Sequence, residues 1–135
     1  MNAKDIVKAM YDNDDFSQWL GIRFLDVRAG YCSIEMTVRK EMSNGFDVAH
    51  GGISFSLADS AFAFASNSRG KKAVSIETNI SHTRPVFTGD TLKAEASEMN
   101  LSNTLAIYEV RVSNQEGKTV ALFKGTVYRK EEWSL

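Results

Sequence analysis

The chain has one cysteine, Cys32, one proline, Pro85, and no excess of either charge. A single thiol excludes an intrachain disulfide and any zinc cluster built on cysteines, and it is compatible with a reducing compartment. With one proline and no Gly/Ser linker, low-complexity run or repeat, no domain boundary is visible. Sixteen Lys and Arg against seventeen Asp and Glu give a formal charge of −1. That balance argues against a general nucleic-acid binder, which needs a basic excess. No apolar run reaches the ~18 residues of a membrane-spanning helix. Residues 1–11, with Lys4, Asp5 and Lys8 among the apolar positions, lack the pattern of a secretory signal. These absences predict a soluble, unexported, cytoplasmic protein with no membrane or nucleic-acid partner.

What is present is ordinary globular composition: 135 residues, 43% hydrophobic and 24% charged. One domain over residues 1–135 should bury roughly two-thirds of its unfolded surface without covalent staples. Ile6, Val7 and Met10 recur at helical spacing and predict a short amphipathic helix over 3–11. Asp12 to Asp15 read as an acidic turn, and Phe16, Trp19 and Leu20 as an apolar cluster closed by Gly21. Residues 22–28 and the alternation Cys32, Ile34, Met36, Val38 predict an antiparallel hairpin turning at Ala29-Gly30. A loop, Lys40 to His50, contains the turn dipeptide Asn44-Gly45.

From Gly51 to Ser68 the chain reads GGISFSLADSAFAFASNS, apolar on every side at helical spacing. Such a helix is normally buried. Four strand-like runs follow, over 73–83, 90–99, 104–112 and 119–128, with Val74, Ile76, Thr78 and Ile80 on one face of the first. Short turns between them predict a four-strand antiparallel meander. The arrangement that covers an all-round apolar helix is a curved antiparallel sheet wrapped around it, an α+β fold. Its long edge strands favour pairing between subunits, hence at least a dimer.

Between Asp47 and Arg69 the only formally charged side chain is Asp59, with His50 neutral. An ionised carboxylate in an apolar site costs several kcal/mol unless paired or neutralised. Either Ser56 and Ser60, or a strand Lys or Arg, satisfies it structurally, or it is an acid whose pKa is tuned for chemistry. His50-Gly51-Gly52 stands at the loop–helix junction, where free N–H groups attract negative charge and glycines permit close approach. That geometry suits a developing oxyanion.

Asn44-Gly45, His50-Gly51-Gly52 and Leu57-Ala58-Asp59-Ser60-Ala61-Phe62-Ala63 together resemble the hotdog-fold acyl-CoA thioesterases, and among them the PaaI type associated with phenylacetate degradation. Val74-Ser75, Asn79, Arg84-Pro85, Gly89-Asp90-Thr91-Leu92 and Gly117-Lys118-Thr119-Val120-Ala121 extend the resemblance over nearly the whole chain. It implies a homodimer with an active site shared between subunits, assembling further into a homotetramer. It also implies that the Gly51 N–H polarises a thioester carbonyl, with Gly52 beside it and Asn44 positioning the same oxygen. Asp59 of the facing subunit would be general base or nucleophile, and Ser75 would orient water. His50 would brace the loop or serve as a second acid. Among Arg69, Lys71, Lys72, Arg84, Arg39 and Lys40, Arg84 beside Pro85 is the favoured contact for the CoA phosphates, with Asn79 also at the substrate. Phe46, Phe55 and Phe62 are available for the acyl pocket. No metal, and no cofactor beyond the CoA of the substrate, is implied. A hotdog hydratase or dehydratase using His50 with Asp59, and a non-catalytic acyl-CoA binder, are the competing functions.

Overall fold

The computed structural model describes residues 1–134. Two helices open the chain, α1 (Ala3–Asp12) and α2 (Asp15–Leu20). The predicted acidic turn is the start of the second: Asp14 caps α2, its Oδ1 accepting from the Ser17 N–H at 2.9 Å, and Gly21 ends it in the left-handed region at φ 76°. At six residues, α2 is too short for periodicity to reveal it, so the sequence shows only an apolar cluster.

The hairpin forms as predicted from β1 (Arg23–Arg28) and β2 (Tyr31–Thr37), and the long helix follows as α3 (Gly51–Asn67). The strands β3 (Lys71–His82), β4 (Thr91–Leu101), β5 (Leu105–Ser113) and β6 (Thr119–Glu132) complete one antiparallel sheet in the order β1-β2-β4-β5-β6-β3. The four-strand meander is therefore corrected to a three-strand one, β4-β5-β6. β3 does not pair with β4; it lies beyond β6 at the sheet edge, and residues 83–90 carry the chain back across to β4. Consecutive strands are neighbours only about two-thirds of the time, and local patterning carries no information about the exceptions.

The sheet curves around α3. Ile34, Met36, Leu92, Val110, Val112, Phe123 and Val127 meet Leu57, Ala58, Ala61, Phe62, Phe64 and Ala65, all of them buried. Small side chains set how closely the layers approach: Ala94, Ala96 and Ala121 are fully enclosed, and Gly125 lies under the Phe62 ring. A β-carbon at Gly125 would come within 2.6 Å of that ring.

Two features leave surface uncovered. A bulge between Ser75 and Glu77 breaks the alternation of β3, so Val74 and Ile80 do not share a face as the simple pattern predicts. A one-residue slip moves side chains to the opposite face. Ser75, Ile80 and His82 pair with Val127, Phe123 and Ala121 on the helix side, whereas Val74 and Asn79 pair with Tyr128 and Lys124 on the outer side. In addition, α3 is not enclosed all round. Gly51, Gly52, Phe55, Ser56, Asp59 and Ala63 are its only residues not buried, and they form one stripe along it.

Candidate active site

The start of α3 is organised by His50. Its Nδ1 accepts the Gly52 N–H at 2.8 Å, and its carbonyl accepts the Ile53 N–H at 2.9 Å. Nδ1 is therefore the acceptor in this cap. His50 thus braces the helix start, one of the two roles implied for it. This cap also explains Gly52: a β-carbon there would sit 2.9 Å from His50 Nδ1.

Gly51 differs. Its N–H donates to no acceptor among the described residues, and it belongs to the unsatisfied first turn where the helix dipole is positive. Its φ is not in the left-handed region. A β-carbon there would meet only the His82 ring, at 3.4 Å from Nε2. Neither backbone conformation nor packing within the chain therefore requires a glycine at 51. His82, which sequence reasoning overlooked, reaches this point because β3 runs back alongside α3.

The preceding loop folds over the same end. Asn44 donates its N–H to the Val48 carbonyl at 2.7 Å, while its Oδ1 accepts from the Phe46 and Val48 N–H groups at 2.8 and 3.4 Å. The side-chain oxygen is thereby committed, and Nδ2 has no acceptor among the described residues. Asp47 takes φ 66° at the tip. Backbone bonds from His50 to Met42 (2.8 Å) and from Ala49 to Val86 (2.7 Å) tie the loop to the helix start.

Asp59 lies half-buried on the open stripe of α3. No hydrogen bond or ion pair reaches its carboxylate among the described residues, and burial raises its pKa above the ordinary aspartate value. Neither structural explanation for it holds: Ser60 is engaged with Ser17, Oγ to Oγ at 2.9 Å, and no strand cation approaches. Eight residues at 1.5 Å each separate Asp59 from Gly51 by about 12 Å along the axis of one chain.

The remaining candidates divide. Phe62 is corrected from pocket to core: it is 1% exposed and packs on Tyr108 and Phe123 with centroids at 6.1 and 5.5 Å. Asn79 stands on the outer face, turned away from α3. Phe55 is half-buried against Phe123 at 5.6 Å. Phe46, at the loop tip, is 89% exposed. Ser75 is exposed on the helix side of β3. Arg69 is held by Glu98, Lys71 by Asn103, Lys72 by Glu131 and Arg39 by Glu41, whereas Lys40 and Arg84, both exposed, have no side-chain partner among the described residues. Cys32 is buried, and burial pushes its thiol up to about 12, so it is inert at neutral pH. Among the described residues no cluster of three or more His, Cys, Asp or Glu could hold a metal, and no helix is long and apolar enough to cross a membrane.

A six-strand antiparallel sheet curved around one long helix is the hotdog arrangement of the thioesterase superfamily. The thioesterase superfamily model matches residues 46–121, and the chain belongs to that family. It is 44% identical over 121 residues to the acyl-coenzyme A thioesterase PaaI of Escherichia coli, covering 90% of this chain and 86% of that one. It is 50% identical over 123 residues to a putative esterase of Archaeoglobus fulgidus, covering 91% and 80%. The solved structure of the E. coli PaaI protein, from the phenylacetic acid degradation operon, superposes with a TM-score of 0.94 at 42% identity, over 96% of this chain and 94% of that one.

Proposed function

We propose that this thioester hydrolase cleaves acyl-CoA to free acid and CoA, and that its preferred acyl group is aromatic and phenylacetyl-like. The likeness to PaaI supports the substrate class. The observation that carries the catalytic assignment is the unpaired, half-buried Asp59 with its raised pKa. In the general-base form, Asp59 takes a proton from water as the water oxygen bonds to the thioester carbon. The carbonyl oxygen becomes an oxyanion held by the Gly51 N–H, with Asn44 Nδ2 as a second donor. The C–S bond then breaks, and CoA leaves as a thiolate that takes up a proton. In the nucleophilic form, an Asp59 oxygen bonds to the carbonyl carbon, the C–S bond breaks and CoA leaves as a thiolate. Water then hydrolyses the mixed anhydride to the free acid and Asp59, giving up a proton that the thiolate takes. Ser75 orients the water. Because thiolate leaves readily, no strong general acid is required, consistent with His50 being committed to its cap.

Base and donor must act on one carbonyl group. The ~12 Å between them along a single helix exceeds what that group and one water bridge. The site is therefore assembled between two subunits, Asp59 of one facing Gly51 of the other. The open edge of β3, with Val74 and Ile76 at 47% and 58% exposure, supplies the surface for that homodimer, and two dimers form a homotetramer. Arg84, unengaged and two residues past His82, whose ring stands beside Gly51, binds the CoA phosphates. The enzyme works in the cytoplasm.

Thiol release from a panel of acyl-CoAs, followed with a colorimetric thiol reagent, tests the reading. Wild-type protein turns over at least one aromatic acyl-CoA. Asp59→Asn lowers that rate by about 100-fold or more, the range for loss of a general base. Saturable acyl-CoA binding without hydrolysis of any substrate would leave a non-catalytic binder instead.

A further inference from the structure

A cleft of about 380 Å³ opens between α2 and the start of α3, lined by Phe16, Trp19, Met42, His50, Ile53 and Ser56 among others. Its size falls within the range of small-molecule sites. Phe16 and Trp19 stack with centroids 5.9 Å apart at 24°, yet they are 52% and 48% exposed.

Exposed aromatics on a six-residue helix would ordinarily be loose, but this helix is pinned throughout. Ser17 Oγ bonds to Asp14 Oδ2 at 2.6 Å and to Ser60 Oγ at 2.9 Å, joining α2 to α3 one residue from Asp59. Arg39 Nη2 donates to the Trp19 carbonyl at 2.7 Å, and its guanidinium carbon stands 4.8 Å from the Trp19 ring centre. Two aromatic rings are thus held in a fixed position without being used to build the core.

The cleft opens beside the proposed carbonyl site: Gly52, which adjoins the Gly51 donor of the same chain, lines it together with His50 and Ser56. We propose that this cleft is the acyl-specificity site and that it takes an aromatic acyl group against the Phe16–Trp19 pair. The inference rests on the acyl-CoA reading and specifies which residues choose the acyl chain. With the carbonyl oxygen at Gly51, the acyl end extends over Gly52 toward Ile53 and Met42. A ring there gains offset-stacking or edge contacts that a linear alkyl chain does not, a preference of about 10-fold.

The test compares phenylacetyl-CoA with hexanoyl-CoA on wild type, Trp19→Ala and Trp19→Phe, with inhibition by free CoA measured on each. Trp19→Ala should lower kcat/KM for phenylacetyl-CoA by about 10-fold or more, change hexanoyl-CoA by less than about 3-fold, and leave CoA inhibition unaltered. Trp19→Phe, which keeps a ring, should retain most of the preference. Equal loss on both substrates with weakened CoA inhibition would overturn the proposal by assigning the aromatic pair to the adenine. Dissociation of the oligomer, read by light scattering, would overturn it by making the pair a subunit contact. No change on either substrate would overturn it as well. A wild type that hydrolyses no acyl-CoA would instead overturn the underlying acyl-CoA reading, so the two failures are separable.

Discussion

His50 Nδ1 accepts the Gly52 N–H at 2.8 Å, and this bond leaves the adjacent Gly51 N–H free at the mouth of the site. The two consecutive glycines therefore do different things. Gly52→Ala forces a β-carbon to within 2.9 Å of the imidazole, breaking the cap at a cost of about 1 kcal/mol, visible as a lower Tm. Gly51→Ala meets nothing closer than 3.4 Å, so it should fold with wild-type Tm but lose turnover because the methyl occupies the approach to the donor. Equal effects of the two substitutions on Tm would contradict this division.

Asp59 gives a pH dependence of definite sign. Its folded-state pKa is raised by burial, so the folded chain holds the proton more tightly than the unfolded one. The stability linked to that proton is full below the unfolded value and is lost as pH rises through the folded value. On the proposed reading activity runs the other way, since only the ionised carboxylate serves as base or nucleophile. The acid limb of kcat/KM should lie above the ordinary carboxylate range. Asp59→Asn should be nearly inactive yet melt at least as high as wild type at neutral pH, with the difference fading toward pH 4.

The proposed sharing of the site between subunits predicts that inactive variants complement each other. Gly51→Pro removes the donor N–H at a position where helices accept proline, and Asp59→Asn removes the base from the same chain's other half-site. Each homodimer should be nearly inactive. Mixed by co-refolding, half the dimers are heterodimers with one intact site of two, restoring about a quarter of wild-type activity. Absence of recovery in proven heterodimers would place both groups of a site in one subunit.

Phe62→Ala should act on stability and not on substrate. The ring fills the space over Gly125 and packs on Tyr108 and Phe123, so truncation costs about 3–5 kcal/mol, measured by urea unfolding. The KM of the folded fraction should be unchanged; a raised KM would return Phe62 to the acyl pocket.

Much of this protein is legible in its sequence because the deciding forces are local. Period-2 alternation in 32–38, the unbroken apolar run of 51–68 and the isolated Asp59 are patterns along the chain, and solvent exclusion acts on each directly. The His50-Gly51-Gly52 junction is legible for the same reason, since a helix cap involves neighbours in sequence. Other features depend on contacts between distant residues. The place of β3 outside β6 is set by pairing across roughly forty to sixty residues, and the extra residue at the Ser75–Glu77 bulge reverses which side chains face the helix. Three similar phenylalanines receive three different environments: Phe62 in the core, Phe55 at its margin, and Phe46 at the loop tip. Composition cannot separate them, because burial depends on what the remainder of the fold lays over each position. Sequence alone determined that a helix carries an acid and begins with an unsatisfied donor. Tertiary structure decided that the acid has no partner among the described residues, that Phe16 and Trp19 stack in an exposed position near the start of its helix, and that Asp59 and the Gly51 N–H lie about 12 Å apart along one rigid helix.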